Sequence, residues 1–146
     1  MAVPKSVTKL SKDGVTYKSS VEWVEYTLTE LTRGALRDVG KFIMKAYRTK
    51  FYQLHPKQSG EVGKGASYWV RKKETDLQVG LGKKGRGFWG MFYEIGTSKT
   101  PKEDILRSVV YENIDQIIEI ESQYLSELSK EEPNMSGLSE EDYDEE

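Results

Sequence analysis

The sequence predicts an α+β domain, in which a small antiparallel sheet of three to four strands packs with a long helix from the N-terminal half and a second helix near the C-terminus. Three observations predict it. Apolar residues recur at helical spacing from Leu28 to Tyr52. Short alternating segments and an aromatic run follow between Tyr68 and Ile95, and helical spacing returns beyond Pro101. Strands bracketed by helices bury one sheet face under those helices.

The 146 residues read as one domain over 1–129 and an acidic tail over 130–146. A chain of this length buries roughly two-thirds of the surface its unfolded form exposes, so a core is feasible without staples. Cysteine is absent, which excludes disulfides, thiolate nucleophiles and cysteine zinc sites. No run of about 18 apolar residues occurs and the start lacks the charged-then-apolar pattern of a signal peptide, so the expectation is a soluble, unexported chain without membrane contact.

A net charge of -2 conceals a strong asymmetry. From Lys130 onward there are eight acids and one base, which leaves 21 bases against 16 acids, or +5, in residues 1–129. Between Lys41 and Lys102 the balance is fourteen bases to four acids, or +10. Such a block meets phosphate, an acidic protein surface or the chain's own tail, unless it only solvates a face.

In chain order, Met1–Lys12 reads as a polar arm, Asp13-Gly14 as a turn and Val15–Lys18 as a short edge strand. Ser19 and Ser20 are candidate caps for a helix near Val21, with Thr27 or Thr29 capping the main helix. From Leu28 to Tyr52 one face carries Leu28, Leu31, Ala35, Leu36, Val39, Phe42, Ile43, Ala46 and Tyr47, while Arg33, Arg37, Lys41, Lys45 and Arg48 fall mainly elsewhere. Gly34 and Gly40 each weaken this helix by about 1 kcal/mol against alanine and imply close packing.

His55 is the only histidine and precedes Pro56. Without a second histidine or an acid cluster nearby in sequence, it reads as a helix-end residue and not as a base or metal ligand. Pro56–Ala66 lacks the spacing of a phosphate-binding glycine loop and reads as a mobile connection. Tyr68–Lys72 and Asp76–Leu81 then read as a hairpin through Lys73-Glu74-Thr75, and Phe88–Ile95 as a third strand. The connector Gly82–Gly87 carries Lys83, Lys84 and Arg86 among three glycines, so it reads as flexible and positive. Thr100 and Pro101 mark the start of a second amphipathic helix, with Glu103 and Asp104 suited to its positive end, running to about Leu128. The tail after Lys130 lacks the apolar content to offset its ordering entropy, so it is expected to be flexible.

The segment Tyr93-Glu94-Ile95-Gly96-Thr97-Ser98-Lys99-Thr100-Pro101, preceded by an aromatic run with Gly90 and followed by Ile105-Leu106-Arg107, resembles the signature of the minor tail-component family of long-tailed bacteriophages. The resemblance extends to element order over about Thr27 to Leu128. In the family the segment after the proline usually reads Ala-Arg-Pro-Phe-Leu-Arg-Pro-Ala. Here Ile105 stands for the aromatic, and Asp104 and Ser108 stand for prolines.

The resemblance implies a structural virion protein without enzymatic activity or cofactor, made in the bacterial host cytoplasm and located in the virion at the neck. There it joins the head connector to the tail or completes the tail. Its partners would be further copies of itself in a ring, head-connector and tail proteins, and weakly the DNA in the neck channel. The assembly residues so implied are Phe88, Trp89, Phe92, Tyr93, Glu94, Gly96, Thr97, Ser98, Lys99 and Pro101. Glu94 is expected to accept hydrogen bonds from the Gly96–Ser98 backbone or to pair with Arg107, since one carboxylate without a partner cannot run acid–base chemistry. The rival reading is a nucleic-acid-binding module using Lys83, Lys84, Arg86 and the adjacent aromatics. A hydrolase converging Glu94, Asp76 and Glu61 is more remote.

Overall fold

The computed structural model describes residues 8–12, 15–19, 21–57, 60–82 and 88–127. Its elements run β1 (Thr8–Lys12), β2 (Val15–Ser19), α1 (Val21–Leu54), α2 (Gly60–Lys64), β3 (Ala66–Val70), β4 (Leu77–Leu81), α3 (Gly90–Ile95), α4 (Ile105–Glu112) and α5 (Ile114–Glu127). Helix dominates. The 34 residues of α1 span about 50 Å at 1.5 Å per residue, and α2, β3, β4, α4 and α5 pack against that rod.

The core lies along the second half of α1. Val39, Ile43, Met44, Tyr47 and Phe51 follow the helical period and meet Val62 of α2, Ala66 of β3, and Ile105 and Val109 of α4. Tyr47 and Phe51 are completely buried with stacked rings 5.9 Å apart, and Tyr52 and Tyr93 meet Phe51 edge-on. Farther toward the helix start, α5 lies beside α1, where the Tyr124 hydroxyl donates to Asp38 Oδ2.

The expected three- to four-stranded sheet does not form among the described residues. Two separate antiparallel pairs stand in its place, β1 with β2 and β3 with β4. The predicted hairpin pairs Ala66 with Leu81 through Val70 with Leu77. Its turn is closed by Arg71, which donates from Nε to Asp76 Oδ1 at 2.6 Å and also pairs with Glu74. Val15–Lys18 is a strand, yet it pairs with Thr8–Lys12 and so converts the end of the expected polar arm into its partner. The Asp13-Gly14 turn, Ser20 and the tail from 128 onward lie outside the described residues.

The aromatic run is the main correction. Phe88 and Trp89 form a 3₁₀ turn and Gly90–Ile95 is helical. Aromatic residues favour strands because they fit packed surfaces, and a helix offers these residues an equivalent fit: Phe88 meets Phe92 at 5.3 Å and Trp89 meets Phe92 at 5.5 Å. Gly90 is buried at the start of this helix, against Val62 and Leu81. Tertiary packing thus outweighs the local propensity.

Three smaller corrections concern caps and loops. Thr27 and Thr29 cap nothing, because α1 is continuous through them and their hydroxyls donate to the carbonyls of Trp23 and Glu25 one turn earlier. Thr100 and Pro101 precede the second helix without starting it; α4 begins at Ile105, and a break at Asn113 separates it from α5. Pro56–Ala66 contains the short helix α2, whose Val62 is buried in the core. Residues 58 and 59 lie outside the described residues.

Candidate assembly surface

Helices α3 and α4 bring the motif residues together around the loop 96–104. Tyr93 points inward and its ring lies 4.4 Å from the His55 imidazole and 5.7 Å from Phe51. His55 Nε2 lies 2.6 Å from Glu103 Oε2, and the Glu103 backbone N–H donates to the Tyr93 carbonyl at 2.8 Å. The end of α1, the end of α3 and the loop are thereby joined at one point. Forty-eight residues separate His55 from Glu103, so the chain order alone leaves the histidine without an acid.

Glu94 performs neither of the roles expected of it. Its Oε1 accepts from the backbone N–H of Leu106 at 2.9 Å. The first N–H groups of a helix have no partner inside it, and the local cap residue Asp104 makes no side-chain cap bond. Glu94 therefore caps α4 from another helix, and its charge suits the positive end of the dipole. Burial raises the Glu94 pKa above the ordinary carboxylate range, the Leu106 bond opposes that rise, and Asp104 and Glu103 add to it. Arg107 pairs at 3.8 Å with Asp104.

Gly96 ends α3 at φ 80° and ψ 158°, a conformation that side chains rarely adopt. A Cβ there would sit 2.9 Å from the Lys102 backbone nitrogen. Strain and close approach thus exclude a side chain together. Immediately beyond, the Thr97 N–H donates to the Thr100 carbonyl at 2.7 Å, and the Thr97 hydroxyl accepts from the Thr100 N–H at 3.0 Å. This turn is tied off within itself, as side-chain-to-backbone bonding by threonine permits.

What the turn presents is polar and accessible: Thr97, Ser98, Lys99 and Pro101 are all exposed. On the adjoining α3 segment Trp89 and Ile95 are 59% and 65% exposed, and Phe88 is exposed beside them. The assembly residues therefore divide. Tyr93, Glu94 and Gly96 hold the loop, while Phe88, Trp89, Thr97, Ser98, Lys99 and Pro101 face outward, with Phe92 between the two sets. Lys83, Lys84 and Arg86 lie outside the described residues.

Beneath the loop the Tyr47 hydroxyl is buried without a hydrogen-bond partner. Burial, then the nearby Glu94 carboxylate, pushes its pKa far up, so the phenol stays neutral. Among the described residues no group of three or more His, Asp or Glu could hold a metal ion, and no helix is long and apolar enough to cross a membrane. No protein-family model, curated protein or solved structure matches the chain.

Proposed function

We propose that this chain is a structural component of a tailed-phage virion that assembles at the neck, joining head connector to tail or completing the tail. The observation that carries the reading is the Glu94–Leu106 bond. It gives the motif glutamate a mechanical role, fixing the outward-facing Thr97-Ser98-Lys99 turn between two helices. A preorganised, exposed turn beside accessible Trp89 and Ile95 is what a docking element requires, because little ordering entropy remains to be lost on contact. Copies of the chain would meet through the Phe88, Trp89 and Phe92 surface, and the turn would engage the connector or tail partner.

The test is genetic and structural. A phage carrying a nonsense codon in the gene for this chain should accumulate DNA-filled heads and separate or incomplete tails, with joining restored by the wild-type protein. Replacing Ser98 and Lys99 together with alanine, which keeps the Thr97 hydroxyl that ties the turn, should block that restoration while leaving the melting temperature of the purified chain unchanged. Infectious particles assembled in its absence would overturn the proposal. Tight binding of the full-length chain to DNA at physiological salt, with no effect on assembly, would make the nucleic-acid module the better reading.

A further inference from the structure

Two apolar patches are exposed far apart along α1. The first is a cleft between α1 and α5 with a volume of about 190 Å³, walled by Leu31, Ala35, Leu36 and Leu125. Val21, Val24 and Leu28, each about half exposed, lead into it at the three- and four-residue spacing of one helical face. Leu125 is 62% exposed at its mouth, and Glu121 places a carboxylate in the lining. The second patch is a ridge on α3. Phe88, Phe92 and Ile95 stand four and three residues apart and so share a face, and the exposed Trp89 ring leans on Phe92.

The ridge does not reach the cleft of its own chain. From Leu36 to Leu54, the last residue of α1, is about 27 Å along the helix axis, and α3 is held beyond that end by the contact of Tyr93 with His55. The patches also differ in charge. α5 carries Asp115, Glu119, Glu121 and Glu127 and no base, whereas the ridge and the turn after it belong to the block from Lys41 to Lys102, with fourteen bases to four acids. Lys99 is exposed in that turn, and the Glu94 carboxylate is occupied by the Leu106 amide. A cleft face meeting its own copy would bring two acidic α5 helices into one contact, which like-charge repulsion opposes. The partner that suits an acidic, apolar cleft is a basic, aromatic ridge, and this chain carries one.

We propose that copies of this chain associate in one direction, ridge into cleft, with Trp89 of one copy inserted between α1 and α5 of the next. The inference rests on the reading that copies meet through the Phe88, Trp89 and Phe92 surface, and it names what that surface meets. The sizes agree. A cavity of about 150 Å³ takes up a benzene ring, so about 190 Å³ has room for one indole and little more. A buried indole N–H needs an acceptor, which the Glu121 carboxylate supplies in the lining. Phe88 and Ile95 would close over the exposed apolar margin, and Lys99 would face the acids of α5.

The consequence is directional growth. Because the two patches are different surfaces, any pair of copies retains one unused ridge and one unused cleft. Association then continues until a ring closes, or runs on as a filament where the rotation does not close.

The experiment follows the full-length chain by analytical ultracentrifugation and uses two variants. Trp89→Ser removes the anchor of the ridge, and Leu125→Arg places a charge at the mouth of the cleft. Both side chains are more than half exposed, so both variants should keep the fold by circular dichroism; Leu125→Ser serves instead if the arginine unfolds the chain. Wild-type protein should form species larger than a dimer as its concentration rises, and added salt should weaken them. Each variant alone should associate about thirtyfold or more weakly, the loss expected when an interface anchor is truncated. An equal mixture of the two should restore a single contact, because the intact ridge of the Leu125→Arg chain meets the intact cleft of the Trp89→Ser chain. The product is a one-to-one dimer that grows no further. A mixture that stays monomeric overturns the proposal, as does wild-type association that Trp89→Ser leaves unchanged. A wild-type chain that stops at a dimer overturns it in favour of a cleft face paired with its own copy, and one that is monomeric at every concentration overturns it outright. The neck reading fails separately: wild-type association without rescue in the mixture removes the ridge-into-cleft contact and leaves the neck role standing, whereas infectious particles formed without the chain remove the neck role and leave the contact standing.

Discussion

The two halves of α1 make opposite use of one helical period. From Val39 to Phe51 the buried face is Val39, Ile43, Met44, Tyr47 and Phe51, an apolar stripe covered by the hairpin, α2 and α4. From Val21 to Arg33 the buried side chains are three polar ones, Thr27, Glu30 and Arg33, and one apolar one, Leu31, whereas Val21, Trp23, Val24 and Leu28 are exposed. Periodicity fixes which residues share a face. Which face is covered depends on what the rest of the chain places there, and the early half covers a face whose buried polar members include an ion pair, Arg33 to Glu30 at 2.9 Å.

The contrast is broken most severely in the apolar half. Phe51→Ala should cost about 3–5 kcal/mol, because the ring is fully buried among Tyr47, Tyr52 and Tyr93 and a cavity would remain. Urea unfolding followed by circular dichroism measures it, and a cost below about 1 kcal/mol would show that the core collapses around the gap.

In the polar half the corresponding change is Glu30→Ala, expected to cost about 3 kcal/mol by leaving the Arg33 guanidinium buried and unpaired. The joint replacement Glu30→Leu with Arg33→Met should be close to neutral or stabilising, since it removes both desolvated charges. If the joint change costs as much as Glu30→Ala alone, the pair contributes more than its own mutual satisfaction.

A smaller effect is expected at the cap that helps hold α4 over the apolar half. Glu94→Ala should cost about 1 kcal/mol, the usual loss for a removed helix cap, while Glu94→Gln keeps an acceptor oxygen for Leu106. The pH dependence has a definite sign. Because the folded-state pKa of Glu94 is raised, the folded state binds that proton more tightly than the unfolded state. The stability so gained is fully present below the unfolded pKa and is lost as pH rises through the folded pKa. Wild-type protein should therefore gain stability relative to Glu94→Gln as pH is lowered through that interval. Parallel melting curves across mildly acidic pH test this, and a relative loss on acidification would contradict it.

The smallest change belongs to the outward stripe of the early half. Val24→Ser should alter stability by less than about 0.5 kcal/mol, because the side chain is already 52% exposed. A loss above about 1 kcal/mol, measured in the same unfolding assay, would mean that another surface covers the stripe in solution.

How far the fold was legible follows from the same reasoning. The amphipathic period of α1, its end at His55 and the hairpin through Lys73–Thr75 are local in origin: side-chain spacing, a proline and a short turn act over a few residues, and a linear reading captures them. Phe88–Ile95 is different. Its aromatics suit a strand or a packed helix equally, and the choice rests on Gly90 against Val62 and Leu81 and on Glu94 reaching Leu106, contacts that join separate segments.

The candidate site divides along the same line. From the residues alone came the motif itself, its glycine at the tight position and the exposed Thr-Ser-Lys turn, because a turn's chemistry is written in its own few residues. Tertiary structure alone decided that Glu94 caps a helix and accepts from no Gly96–Ser98 amide, and that His55 meets Glu103. Hydrogen bonds and grooves between distant segments depend on where packing sets those segments, and packing energy is a property of the assembled core, with no local pattern to report it.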